Sequence, residues 1–337
     1  MNMKPMDWLK ELEKLGLEVR ARLAHARQQG HDMASPVAHQ AGDTIFAIDR
    51  HVEPAIEAAA ATWAKEDVHI TLIAEGLGDD GVKTFGPSDA KHRYRVMIDP
   101  IDGTRNIMYD KRSAWFLAMV APDRGSDTRL SDAIASVMVE LPTSKQGLAD
   151  AFSAIRGSGS IGKRVGLMDH ITRALPVGPS SASTLYSGFG QVSNFFPGTK
   201  ILAGELMERI VRRTLGDVSP GSASVFEDQY ISTGGQMVEL IMGRDRFCCD
   251  LRPLFYQILQ KQTGVSISGL ECHPYDMAGW LAAKQAGVEL TDGWGRELDI
   301  PLDVHSPVHW CGYANGSLRQ AIEPVIREWL LEKGIEP

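Results

Sequence analysis

Between Met6 and Gln28 apolar side chains return every three or four residues. Leu9, Leu12, Leu15, Val19, Leu23 and Ala26 fall on one stripe, which predicts an amphipathic helix. A second helix is expected from Glu53 to Lys65, where Pro54 suits the first helical position. The period then changes. Val68 to Ala74 reads as a strand that runs into a Gly/Asp-rich loop, Gly76 to Gly81. Tyr94, Val96 and Ile98 share one face of a strand that ends at Asp99. Ala114 to Ala121 is nearly continuous apolar sequence, as in a strand covered on both sides. Ala133 to Leu141 alternates again, and Gly157 to Gly162 reads as a Gly/Ser turn.

The second half is richer in helical pattern. Helices are expected over Ala203 to Leu215, Ser224 to Met242, Asp276 to Ala286 and Ser317 to Lys333, with strands at Val288 to Thr291 and Val308 to Ala314. Composition shifts around Pro176, Gly178, Pro179, Ser180, Ser181 and Ser183, which places a boundary between residues 1–180 and 181–337. An α+β half is therefore followed by an α/β half, layered around sheets. A length of 337 residues suits two domains or one large one.

Charge narrows the function classes. A net charge of -8 argues against generic nucleic-acid or membrane binding. It leaves an anionic substrate open, provided local positive charge reverses the field at the site. Cys248, Cys249, Cys272 and Cys311 form no C-x-x-C pattern, and the adjacent pair has poor disulfide geometry. Reduced thiols and a cytoplasmic location are expected. The first residues carry Asp7, Glu11, Glu13 and Glu18 without an apolar run, unlike a secretory signal. No stretch approaches the ~20 apolar residues of a membrane helix.

The sequence Ile98-Asp99-Pro100-Ile101-Asp102-Gly103-Thr104-Arg105-Asn106 concentrates the candidate chemistry. An apolar strand ends in a loop with two carboxylates. Pro100 keeps Asp99 extended, and Gly103 permits a sharp turn. If a helix starts here, the N–H groups of Gly103, Thr104 and Arg105 face an anion. Two hard oxygen ligands beside such donors suit a hard cation that bridges to phosphate. An Asp-rich turn with capping aspartates explains the same residues equally well on local physics.

Asp99-Pro100-Ile101-Asp102-Gly103-Thr104 resembles the signature of the inositol monophosphatase and fructose-1,6-bisphosphatase superfamily. A fixed string of this length recurs by chance in roughly one chain in a hundred thousand at average usage. Other islands resemble the family in the right order: Gly42 to Asp49 with Val52-Glu53, Ile73-Ala74-Glu75, His273 to Gly279, and Ala286-Gly287-Val288 with Asp292-Gly293. The resemblance implies a layered α-β-α-β-α sandwich and a magnesium-dependent phosphatase acting on a small phosphomonoester, with two or more ions and manganese as a substitute. It implies that Asp99 bridges two ions, that Glu75 and the Ile101 carbonyl complete one, and that Asp102 and Asp276 hold the other. Thr104, paired with Asp49, would orient the attacking water. Thr104, Asp49 and Glu75 are then the catalytic set, and Gly103, Thr104 and Asp276 contact the substrate. The implied partner is a small phosphorylated metabolite (inositol, sugar or related phosphate), with neither nucleic acid nor membrane, and the chain would pair as a homodimer.

Three positions depart from the family pattern. Gly76 stands where many members have a second glutamate, and Tyr275 where many have tryptophan. Gly269 occupies the position of a glutamate that reads sugar hydroxyls in inositol-specific members, although Glu271 lies nearby. Arg244, Arg246 and Arg252 are either a solvated surface paired with Asp245 and Asp250 or a subsite for a second anionic group. Rival functions are a bisphosphatase for fructose 1,6-bisphosphate or a 3′-phosphonucleotide, and a non-catalytic phosphometabolite binder.

Overall fold

A computed structural model describes residues 6–29, 36–40, 43–46, 52–65, 67–78 and 80–337. The first helix, α1 (Trp8–Gln28), starts where Asp7 accepts from the Lys10 amide at 3.3 Å, and it buries the expected leucine stripe. A two-stranded hairpin, β1 (Pro36–Gln40) and β2 (Asp43–Phe46), precedes α2 (Glu53–Trp63), whose first turn carries Pro54. Next come β3 (Val68–Ala74), β4 (Val82–Phe85), β5 (His92–Asp102), the short α3 (Thr104–Met108), β6 (Ala114–Pro122), β7 (Ala135–Leu141), β8 (Leu148–Ile155), β9 (Ser160–Gly166) and β10 (Thr172–Leu175). The chain continues through β11 (Gly188–Val192), α4 (Lys200–Leu215), β12 (Val225–Phe226), α5 (Thr233–Ile241), β13 (Asp245–Asp250) and α6 (Arg252–Thr263). It closes with α7 (Trp280–Ala286), β14 (Glu289–Thr291), β15 (Trp310–Tyr313) and α8 (Gly316–Glu332).

β3 to β10 form one eight-stranded sheet in the order β10-β9-β8-β7-β6-β5-β3-β4, antiparallel except for the β3–β5 pair. The remaining strands form a five-stranded sheet, β12-β11-β13-β15-β14. Alternation along the strands decides what each sheet face meets. On β6, Phe116, Ala118 and Val120 join Leu12, Leu15 and Val19 of α1 and Ile56 of α2 in one buried cluster. Trp115, Leu117 and Met119 point the other way, into a cluster with Met237 of α5, Trp280 of α7, and Cys248 and Trp310 of the second sheet. Phe247, Cys249, Cys311 and Tyr313 face a third cluster with α4, α6 and α8. The layers are therefore helix, sheet, helix, sheet, helix: an α+β sandwich of the α-β-α-β-α type. Its middle layer shares a core with both sheets.

The sequence pattern differs from this in three places. The segment Ser224 to Met242 is not one helix: a two-residue strand and an extended stretch precede α5, which starts at Thr233. Ser232 sets the late start, because its extended backbone and its side chain, which accepts from the Gly235 amide, cap the helix there. The helix expected from Asp276 begins as a 3₁₀ turn, Pro274–Met277, and becomes α-helical only at Trp280. Strands β8 to β11, β13 and helix α6 lie where only a turn or a basic cluster was apparent.

Candidate active site

β5 carries the Asp-Pro-Ile-Asp sequence to the C-terminal end of the strand. Asp99 lies opposite Leu117 and Asp102 opposite Trp115, so β5 spends one residue more than β6 over this stretch. Residues three apart on a regular strand point to opposite faces. The bulge cancels that, and both carboxylates follow Leu117 and Trp115 into the space between the sheets. Gly103 then turns the chain at φ 91°, and α3 starts at Thr104. The helix start on which the anion-binding reading depended is present.

Asp276 reaches the same place from the 3₁₀ turn. Carboxylate oxygens of Asp99, Asp102 and Asp276 lie within 4.8 Å of one another. Asp99 accepts from the Ile101 amide at 3.0 Å, and Asp276 from the His273 amide at 2.6 Å. The start of α5 holds Asp102: the Ser232 hydroxyl donates at 2.7 Å, and the amides of Thr233 and Gly234 donate at 3.1 and 2.6 Å. Ser232 Oγ also accepts from the Gly235 amide at 2.8 Å, which caps the helix. The segment before it is anchored by Tyr230, which accepts from Trp115 Nε1 at 2.9 Å and donates to the Ser113 carbonyl at 2.8 Å.

Loss of water pushes the Asp99 carboxyl well above its usual range, and repulsion from Asp102, Glu75 and Asp276 adds to it. Burial also raises Asp102, to about 6, against the donors from Ser232 and the α5 amides. Asp276 rises to about 8, through burial and then the Asp102 charge. Among the described residues, no lysine or arginine side chain donates to any of the three. Crowded acceptors with raised proton affinity and no cationic donor fit a hard divalent cation.

Glu75, at the end of β3, lines the same cavity of about 510 Å³. So do Ile101, Gly103 and Thr104. The Thr104 hydroxyl donates to the Ile101 carbonyl at 2.9 Å, which couples two residues expected to have separate roles. Asp49 lies outside the described residues.

Several lining residues were not singled out from the sequence. A Cβ on Gly76 would lie 3.6 Å from Glu53 Oε1, so the Glu53 carboxylate stands beside the place of the missing second glutamate. The signal available was the Val52-Glu53 pair at the start of α2. Ser232 was legible only as a serine before a Gly-Gly helix start. The three arginines do not assemble. Arg244 pairs with Glu239 at 3.3 Å, and Arg246 donates to the Thr184 carbonyl at 2.8 Å. Of the three, only Arg252 lines the cavity, and its guanidinium is held by Asp250.

No protein-family model matches the chain, and no curated protein matches it. Solved structures do. Fructose-1,6-bisphosphatase from Leishmania major aligns with a TM-score of 0.65 at 12% identity, over 95% of this chain and 93% of that one. The SuhB extragenic suppressor protein from Bartonella henselae aligns with a TM-score of 0.61 at 16% identity, over 96% and 99%. Inositol monophosphatase II from Staphylococcus aureus aligns with a TM-score of 0.60 at 16% identity, over 97% of each chain. The chain has the fold of the inositol monophosphatase and fructose-1,6-bisphosphatase proteins. Among the described residues, no helix is long and apolar enough to cross a membrane.

Proposed function

We propose that this protein is a magnesium-dependent phosphatase of small phosphomonoesters. The convergence of Asp99, Asp102 and Asp276 without a cationic donor, at the strand-to-helix turn of Gly103 and Thr104, carries the reading. Asp99, Asp102, Asp276, Glu75 and the Ile101 carbonyl would hold the ions, with manganese as a substitute for magnesium. When bound, such a cation would offset phosphoryl charge and lower the pKa of a water.

The chain's own groups then position the reaction. The Thr104 amide opens α3, where no intrahelical acceptor exists for it, and would donate to a phosphoryl oxygen. The Thr104 hydroxyl, which donates to the Ile101 carbonyl, would orient the attacking water, with Asp49 as the acceptor the family resemblance implies. Burial of the site excludes bulk water and strengthens each of these contacts. The fold neighbours inositol monophosphatase II and fructose-1,6-bisphosphatase favour the same class.

Phosphate release from a panel of sugar, polyol and nucleotide phosphates tests this, with magnesium and with EDTA. Turnover should need the cation and return when it is restored. Full turnover in metal-free buffer, or none on any ester, would remove the proposal.

A further inference from the structure

A second cavity, of about 290 Å³, lies between β6, β8, β9 and the last turn of α5. Three arginines line it: Arg112, Arg164 and Arg244. Arg112 lies over the Tyr230 ring, 3.6 Å from its centroid, and is shared between Asp228 at 2.8 Å and Glu239 at 3.4 Å. Arg164 grips Asp150 through Nε at 2.6 Å and Nη2 at 2.7 Å. Arg244 reaches Glu239 through Nη1 alone, at 3.3 Å. Arg244 thus belongs with two arginines from distant parts of the chain, rather than with Arg246 and Arg252.

The carboxylates of this lining are already spent. Asp150 has both oxygens on Arg164, and Glu239 is taken by Arg244 and Arg112. Glu140 is 9% exposed and accepts from Ser113 Oγ at 2.6 Å, Gln146 Nε2 at 2.7 Å and the Asp150 amide at 2.8 Å. The guanidinium groups are not spent. Among the described residues, Arg112 Nε, Arg164 Nη1, and Arg244 Nε and Nη2 donate to nothing. Behind Glu140 and Asp150, Arg20 is buried and donates only to their carbonyls, at 2.7 and 3.1 Å. Four cations are thus set against Glu140, Asp150 and Glu239. Asp228, the remaining partner, is 54% exposed, so solvent screens its charge. Unspent guanidinium donors with a positive excess suit an oxyanion.

We infer that this cavity is a second binding site, for a small oxyanion of the sulfate or phosphate kind, and that its occupancy is felt at Asp102. Three features carry the link. Trp115, on the lining, is the register partner of Asp102. Tyr230, under Arg112, stands two residues before Ser232, which donates to Asp102. Helix α5 holds Asp102 at its first turn and lines the cavity with Glu239 in its last. An oxyanion that draws Arg112 to itself takes the guanidinium from the Tyr230 ring and loosens the segment that fixes Asp102. Oxyanion and cation then weaken each other's binding by the same factor. Neither step requires that the protein hydrolyse an ester, so binding here and turnover at the acidic cluster fail separately.

The probe is sodium sulfate, titrated by calorimetry into the whole, metal-free protein, with sodium chloride at equal ionic strength as the reference. Without a cation the acidic cluster repels anions, so saturable heat reports the second cavity. Arg244→Gln removes unspent donors from an exposed side chain. Arg164→Lys keeps a cation on Asp150 and removes the free edge of the fork. Each should raise the sulfate Kd by about fivefold or more. No saturable binding by the wild type, or an unchanged Kd in either variant, would overturn the site. Magnesium is then titrated with and without sulfate, at equal ionic strength and with free magnesium as the variable. Sulfate should raise the magnesium Kd of the wild type relative to that of Arg244→Gln by about threefold or more. An equal response of the two proteins would overturn the link to Asp102.

Discussion

Asp99 is the most crowded charge in the molecule's candidate site. It is 1% exposed, accepts one backbone amide and faces three other carboxylates. Asp99→Asn removes a negative charge that a bound cation would need and that the metal-free chain does not. Activity should fall by about a hundredfold or more, the loss typical of a key electrostatic group. The metal-free variant should melt above the metal-free wild type in calorimetry. Near-normal turnover would reduce Asp99 to a turn residue. At this scale the sequence was legible where the residues that line the cavity are contiguous or end a strand: Asp99, Ile101, Asp102, Glu75 and Asp276. Glu53 and Ser232 were not singled out for the site, because their relation to it depends on contacts between segments far apart in the chain.

At the scale of elements, α5 links helix capping to the acidic cluster. One hydroxyl, Ser232 Oγ, both caps α5 and donates to Asp102. Ser232→Ala should cost about 1 kcal/mol of stability as a lost cap. It should also weaken magnesium binding, measured by calorimetry, because Asp102 loses a donor that fixes its rotamer. Ser232→Thr should restore both; a stability loss with unchanged magnesium affinity would leave Ser232 as a cap alone. Two helical glycines give a paired test of packing against propensity. Gly16 of α1 would place a Cβ 2.6 Å from Val139 and 2.7 Å from Phe116, whereas Gly204 of α4 has nothing within 4 Å. Gly204→Ala should stabilise by about 0.5–1 kcal/mol. Gly16→Ala gains the same propensity but overpacks the core by about 1–3 kcal/mol, so chemical denaturation should show a net loss. The stripe of α1 and the alternation of β5 to β7 were readable because each buries one periodic face. β8 to β10 carry charges such as Asp150 and Arg164, paired at 2.6 Å, which blur the alternation. α6 was hidden because Arg252 is buried by pairing with Asp250 rather than left in solvent.

For the whole molecule, the acidic cluster ties stability to pH and cation together. Asp102 and Asp276 titrate at about 6 and about 8 in the metal-free fold, above the ordinary 3.8. Between those limits the folded chain holds more protons than the unfolded one, so metal-free stability falls as pH rises. Cation binding requires the ionised forms, so affinity rises over the same window. Melting temperatures taken from about pH 5 to about pH 9 should fall without magnesium, and the stabilisation by magnesium should grow. A metal-free melting temperature that climbs through this range would contradict the cluster's electrostatics. The order of layers was legible only through resemblance, since hydrophobic patterning shows that a face is buried but not which sheet buries it.

The bulge between Asp99 and Asp102 gives the site a dependence on parity. The face on which a strand residue lands is decided by whether an odd or even number of residues precedes it. Here one supernumerary residue on β5 converts an odd interval into an in-phase pair. Substitutions change what a side chain is, but leave this count alone. An in-frame loss of one codon between the two aspartates changes the count, and would turn Asp102 away from Asp99 while keeping every carboxylate of the cluster in the sequence. Among descendants of this chain, length in the 99–102 interval should therefore be under tighter constraint than the identity of Pro100 or Ile101.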